Sequence, residues 1–180
     1  AGRRVGGRGG RGEAAGGVGW GELERCGVRE GGGGRVGSGG GAARGIVTAI
    51  ALKLAEHGSD IAFTYVSDTS AEKAGALETK LQSLGAKAKA YKSNAGVFTE
   101  CEAFVNEVLK EFGKIDVCVN NAGISKDNLL LRMTPEQWDE VMDINLKSVF
   151  NMTKQVIRPM MKAKAGSIIN MSSIVGIRGN

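Results

Sequence analysis

The sequence predicts an α/β fold, a doubly wound parallel sheet, over residues 41–180, behind a disordered Gly/Arg-rich segment over residues 1–40. Three observations predict it. After Arg44, short apolar runs alternate with stretches of helical period, which is how strands joined by crossover helices read in sequence. One of those runs, Ile115 to Val119, is apolar enough for a strand buried on both faces. A glycine-rich turn, Gly41-Ala42-Ala43-Arg44-Gly45-Ile46, stands directly before the first helical stretch.

Composition divides the chain near Arg44. Of 29 glycines, 19 lie at or before Gly41; up to Arg44 there are eight arginines and no lysine, and beyond it thirteen lysines and three arginines. Two sources of sequence joined end to end would read this way. Glycine at that density makes a fixed backbone entropically costly, so residues 1–40 are expected to be disordered. Eight arginines against four glutamates in the first segment account for most of the net charge of +5, so that charge says little about the folded part. The run Arg8-Gly9-Gly10-Arg11-Gly12 resembles a piece of an Arg/Gly-rich RNA-binding tail, but Trp20 is the only aromatic near it for base stacking, and no nucleic-acid partner is expected.

Cys26, Cys101 and Cys118 have neither close pairing nor metal-ligand spacing, which argues against a disulfide framework or a zinc site and fits a reducing compartment. No run of 18 apolar residues supplies a membrane span, and the N-terminus has no apolar segment of the secretory kind. A cytoplasmic location is the expectation, with no membrane partner.

The elements follow in order. Ile46, Ile50 and Leu54 fall at helical spacing, and His57-Gly58 ends that helix with glycine just past its last turn. Ile61 to Tyr65 reads as a buried strand. A polar helix follows from about Ser70 to Leu84, stopped by Gly85, then a strand over Ala88 to Lys92 and a helix over Phe98 to Phe112, stopped by Gly113. After the strand at Ile115 to Val119, Thr134-Pro135-Glu136-Gln137 starts a helix: threonine caps, proline takes the first helical position and Gln137 completes a capping box. That helix is expected to run to about Lys162, before a strand over Ser167 to Met171. Strands and right-handed crossovers in this order give a nucleotide-binding sheet of the Rossmann kind.

In such a sheet a nucleotide lies across the carboxyl ends of the strands, and the first turn must let the backbone approach its phosphates. Gly41, Arg44, Gly45 and Ile46 occupy that place. Asn120-Asn121-Ala122-Gly123 follows a strand directly, Asp143-Ile144-Asn145-Leu146 and Ser167-Ile168-Ile169-Asn170-Met171-Ser172-Ser173 come later, and Gly123 to Leu130 with Arg132-Met133 continues the first of these. In order and spacing these motifs resemble the short-chain dehydrogenase/reductase family, in particular its 3-oxoacyl-(acyl-carrier-protein) reductase branch, over about 140 residues.

The resemblance implies roles. Asn121, Ala122 and Gly123 form a compact turn beside the adenosine side of the cofactor, and Asn94 and Ala95 match the pair that contacts adenine. Asn145 matches the residue that holds a water connected to the catalytic lysine, and Ser173 the serine that polarises the substrate carbonyl; Ser172, its neighbour, is expected to be structural. The implied reaction is hydride transfer from a nicotinamide to the 3-keto carbon of an acyl chain, with a tyrosine donating the proton. Cofactors of NAD type need a carboxylate at the end of the second strand. That place reads Tyr65-Val66-Ser67, with no acid before Asp68, and Arg44 stands where the family meets a 2′-phosphate, so NADP is expected. Lys162 and Lys164 match a basic region for an acidic carrier protein, or are solvated lysines near a helix end. The complete enzyme is expected to be a homotetramer.

The chain departs from the family pattern in two places. Where a buried apolar strand should precede Gly41 stands Gly34-Arg35-Val36-Gly37-Ser38-Gly39-Gly40, and Val47 replaces the third glycine of the turn, where a β-branched side chain is expected to crowd the helix. Family spacing also puts the catalytic tyrosine about a dozen residues after Ser173 and the lysine four beyond, past Asn180, so the 180 residues are expected to be a fragment without turnover. Other short-chain dehydrogenases, acting on acetoacetyl-CoA, a sugar or a steroid, and a non-catalytic nucleotide- or RNA-binding fragment are the alternative readings.

Overall fold

The computed structural model describes residues 33–38 and 45–174, the first of these as backbone. A five-stranded parallel sheet is formed by β1 (Gly33–Ser38), β2 (Ser59–Tyr65), β3 (Ala88–Lys92), β4 (Val117–Asn120) and β5 (Ser167–Asn170), in the order β3-β2-β1-β4-β5. The reversal of strand order on either side of β1 is the doubly wound arrangement expected from the sequence, and it opens a crevice at the carboxyl ends of β1 and β4.

The expectation of disorder throughout residues 1–40 is corrected by β1. Residues 33–38 form the central strand, with Val36 in register with Ala62 of β2 on one side and Cys118 of β4 on the other. The ladder is made by backbone N–H and C=O groups, which glycine carries like any other residue. Two neighbours already in register can therefore hold a strand whose own propensity is poor. The remainder of that segment, with Gly41 and Arg44, lies outside the described residues.

Helices cover both faces. On one face α1 (Ile46–Glu56) and α2 (Asp68–Ser83) bury Leu54, Leu77 and Leu81 against Ile61 and Phe63 of β2. On the other, α3 (Phe98–Phe112) and α5 (Ser148–Ala163) bury Phe104, Val108, Met152 and Val156 against Ala62 and Cys118. The two-residue alternation along β2 sends Ile61 and Phe63 to the first layer and Ala62 to the second. Val47 is buried in the first layer, in one cluster with Leu54 and the partly buried Ile50.

The edge strand β3 is tied down by its flanking helices. Glu78 of α2 accepts the Ala90 N–H at 2.9 Å and Gln82 donates to the Ala88 carbonyl at 3.1 Å. These bonds occupy edge groups that would otherwise be free to pair with another chain. From α3, Glu111 accepts from Lys89 and, at 3.1 Å, from the Tyr91 hydroxyl, while Lys87 Nζ donates to its main-chain carbonyl at 2.7 Å. The Lys89 hydrogen bond, with help from Tyr91, holds the Glu111 carboxyl below the usual carboxylate range.

The C-terminal third differs from the single long helix expected. Thr134 does cap α4 (Pro135–Met142), and its side chain and that of Gln137 exchange the two capping-box bonds. At Asp143 the helix widens into a π turn, Asp143–Lys147, before α5 resumes. β5 ends at Asn170, one residue before the expected Met171, and is half-buried as the other edge of the sheet; Ser173 lies three residues beyond it.

Phe63 is 1% exposed between α1, α2 and the sheet. Phe63→Ala should therefore cost about 3 to 5 kcal/mol in urea unfolding, and a loss below about 1 kcal/mol would contradict the packing. Because Glu111 is depressed in the folded state, the stability it contributes is present above its unfolded pKa and is lost as pH falls through the lower folded value. Glu111→Gln should lower stability at neutral pH and reduce the acid-side fall, read from unfolding midpoints across the carboxylate range.

Candidate active site

The site is built at the carboxyl rim of the sheet. Gly45 precedes α1 at φ 65°, a left-handed conformation that glycine adopts without a Cβ penalty, and it offers no side chain to cap the helix. A helix start at the carboxyl rim is a place where backbone N–H groups and the helix dipole can receive a phosphate. Ile46, the next residue, is 58% exposed, which keeps the start of the helix open to the crevice.

At β4 the rim is held by a buried amide network. Asn120 is buried; its Nδ2 donates to Asn170 Oδ1 at 2.8 Å and to Thr153 Oγ1 at 3.4 Å, and its main-chain carbonyl accepts the Met171 N–H at 2.9 Å. One residue thus fixes β4, β5 and α5 together where Asn121 and Met171 leave the sheet side by side. Asn121 and Ala122 are half-buried and Gly123 is exposed.

Asn145 closes the turn from the helical side. Its Oδ1 accepts the Ile124 N–H at 2.7 Å and its Nδ2 donates to the Ile124 carbonyl at 2.9 Å. A Cβ on Gly123 would stand 3.6 Å from the same Oδ1, an ordinary contact, so the glycine leaves the amide uncovered rather than avoiding a clash. The π turn explains how an asparagine, a mediocre helix former, stands here: the extra residue re-aims one side chain out of the regular helical row, and such turns cluster at functional sites. The carboxamide keeps a second N–H and a second lone pair beyond its bonds to Ile124.

On the other side of the rim, the Asn94 side chain accepts the Gly96 N–H at 3.0 Å, forming a tight turn after β3. Ala95 is buried, and its carbonyl accepts from Asn151 Nδ2 at 2.9 Å and from the Cys101 thiol at 3.3 Å. Burial, with the Glu100 charge adding to it, pushes the Cys101 thiol up to about 11, which makes it a structural donor and a poor nucleophile.

Of the residues expected from the sequence, Asn121, Ala122, Gly123 and Asn145 are brought into one cluster. Met171, bonded to Asn120, puts Ser173 only two residues further along the same rim, where it is exposed. Asn94 and Ala95 end the β3 side, and Gly45 and Ile46 the β1 side. Asn120, Asn151 and Asn170, whose amides hold these loops, are structural supports of the rim that sequence reasoning does not single out. The available signal is an asparagine at the end of two neighbouring apolar strands and another on a helix that otherwise turns apolar residues inward. Among the described residues no group of three metal-ligating side chains occurs, and no helix is long and apolar enough to cross a membrane.

Asn145→Ala should remove both bonds to Ile124 and raise its amide exchange by about tenfold, with global stability lowered by about 1 kcal/mol. Unchanged protection at Ile124 would contradict the bonded arrangement.

Comparison with known proteins gives one family. The profile described as short chain dehydrogenase matches residues 40–180. Among curated proteins, the 3-oxoacyl-[acyl-carrier-protein] reductase FabG of Staphylococcus epidermidis is 45% identical over 140 residues, covering 78% of this chain and 57% of the relative. The protein of the same name from Thermotoga maritima is 42% identical over 140 residues, 78% of this chain and 56% of its own. The chain therefore spans a little over half the length of the curated relatives it matches. Among solved structures, an NAD+-bound xylitol dehydrogenase aligns with TM-score 0.74 at 29% identity, over 83% of this chain and 56% of that one. A double mutant of a Serratia marcescens short-chain dehydrogenase/reductase aligns with TM-score 0.71 at 30% identity, over 79% and 56%.

Proposed function

This chain belongs to the short-chain dehydrogenase family, and from that premise we propose that its site serves the NADPH-dependent reduction of 3-oxoacyl-(acyl-carrier-protein) to the 3-hydroxyacyl form in fatty-acid biosynthesis. The observation that carries the reading is the joining of the Asn121–Gly123 turn to Asn145 in one hydrogen-bonded rim, in a chain similar to reductases that bear that name. A cytoplasmic location and a homotetrameric complete enzyme belong to the same proposal.

The residues present fit a nicotinamide dinucleotide. The start of α1 after Gly45 supplies N–H groups for the pyrophosphate, with Gly41 and Arg44 assigned to the same turn from sequence. Asn94 and Ala95 bound the adenine end, and Asn121, Ala122 and Gly123 the adenosine side. When bound, the cofactor supplies the hydride.

Preference for the phosphorylated cofactor is argued from charge. β2 ends at Tyr65, and the first carboxylate after it, Asp68, is the first residue of α2 and is bonded to Lys92 at 2.6 Å. That carboxylate lies three residues past the end of the strand with a lysine beside it, and Arg44 adds positive charge to the glycine-rich turn.

At the reacting end, Ser173 polarises the 3-keto oxygen by donating its hydroxyl proton as a hydrogen bond, which favours the developing alkoxide. Asn145 uses its remaining N–H and lone pair to hold a water on the proton path. The proton donor is a tyrosine that family spacing sets beyond residue 180. Cofactor binding is assigned to the rim described here, and turnover to the rim together with that tyrosine. Lys162 and Lys164, both exposed at the end of α5, meet the acidic carrier protein.

The expected result is NADPH binding at least about tenfold tighter than NADH by fluorescence titration, a difference of about 1.4 kcal/mol, with no oxidation of NADPH by an acetoacetyl thioester above a blank without protein. Equal or tighter NADH binding would overturn the cofactor assignment, and turnover would overturn the assignment of the proton donor.

A further inference from the structure

Asn151 has no place in the chemistry above, yet it is 1% exposed in the first turn of α5. A buried amide in a helix that otherwise packs Met152, Val156 and Met160 inward needs a partner to offset its desolvation. Its Nδ2 donates at 2.9 Å to the Ala95 carbonyl, 56 residues away in the turn after β3. The same turn also approaches the π turn that precedes α5. A Cβ on Gly96 would lie 2.8 Å from Ile144 Cδ1 and 3.3 Å from Asn94 Oδ1. The bare Gly96 backbone lets the Ile144 side chain lie against the Asn94–Val97 turn, and a methyl there would make Ile144, the residue immediately before Asn145, shift its Cδ1. Ile144 is fixed in turn, because its carbonyl accepts the buried Ser148 hydroxyl at 2.5 Å.

From these contacts we propose that Gly96 and Asn151 are positioning residues, which clamp the turn at the adenine end of the site to the π turn that carries Asn145, so that filling the nucleotide site steadies the Asn145–Ile124 pair. The proposal rests on the assignment of that turn to the nucleotide. Rigidity is what the two contacts supply. A π turn is a local departure from the helical ladder, and its extra residue has no regular partner row to hold it in register. Here a separate loop does so through one buried hydrogen bond from α5 and the close approach of Ile144 Cδ1 to Gly96. Ordering of the Asn94–Val97 turn by a ligand is passed to Ile144 through packed atoms, and from there to Asn145 along one peptide unit.

The test reads amide hydrogen exchange at Ile124, whose N–H is bonded to Asn145 Oδ1. In the 180-residue chain, saturating NADPH should slow that exchange about fivefold. Gly96→Ala should speed it about fivefold without ligand and abolish most of the NADPH effect. Adding Ile144→Val, which deletes the methyl that the new Cβ meets, should restore both. Gly75→Ala, on α2 with nothing within 4 Å of its added Cβ, should change neither. Asn151→Leu, which removes the buried donor while keeping volume, should act like Gly96→Ala. A merely structural loss would not be reversed by a second deletion at Ile144. The clamp is overturned if Ile124 exchange is the same in the wild type, Gly96→Ala and Asn151→Leu, or if Ile144→Val fails to restore it. Should the wild type not bind NADPH while Gly96→Ala still speeds Ile124 exchange, the mechanical link stands and the nucleotide assignment falls. NADPH binding that leaves Ile124 exchange unmoved overturns the link and leaves the nucleotide assignment standing.

Discussion

The parallel register of β4 between β1 and β5 is the constraint on which the rest depends. Val36 is in register with Cys118 and Cys118 with Ile168, so three strands end together at Ser38, Asn120 and Asn170. Parallel strands need crossovers, and crossovers place every loop that leaves a carboxyl end on one rim. Residues as distant in sequence as Asn94, Asn121, Asn145 and Ser173 share that rim for this reason alone. Were β4 antiparallel to either partner, the turn after Asn120 would open at the opposite end of the sheet from Gly45.

The rim is stitched by side-chain amides. Asn94, Asn120, Asn145, Asn151 and Asn170 each form a hydrogen bond within the rim or to the loops that frame it. An amide both donates and accepts, so it can satisfy a backbone N–H and a carbonyl at once, as Asn145 does with Ile124, while adding no charge. Carboxylates in the same places would repel a phosphorylated ligand, and lysines could satisfy only carbonyls.

Much of this is legible in the sequence, and the reasons differ by element. The helices stopped by Gly58, Gly85 and Gly113 are readable because each glycine takes a positive φ just past the last turn. The start of α4 is readable from Thr134, Pro135 and Gln137 because a capping box is a purely local arrangement. β1 is not, since a strand rich in glycine has neither period nor propensity and is specified by its neighbours' edges. The π turn is also hidden: an inserted helical residue leaves the apolar period nearly intact, and what selects it is the bonding of Asn145 to a loop 21 residues away. Asn120, Asn151 and Asn170 escape a reading from sequence because a buried amide is recognisable only once its partner is placed. The site itself is legible mainly through four motifs in family order, not from any one of them.

A crystal structure of this chain grown with NADPH tests the central claim most directly. The dinucleotide is expected across the carboxyl rim, with its pyrophosphate at the start of α1, its adenine beside Asn94 and Ala95, and its nicotinamide ring on the side of Asn145 and Ser173. Density for the cofactor at the amino ends of the strands, or on an outer helix face with the rim empty, would contradict it.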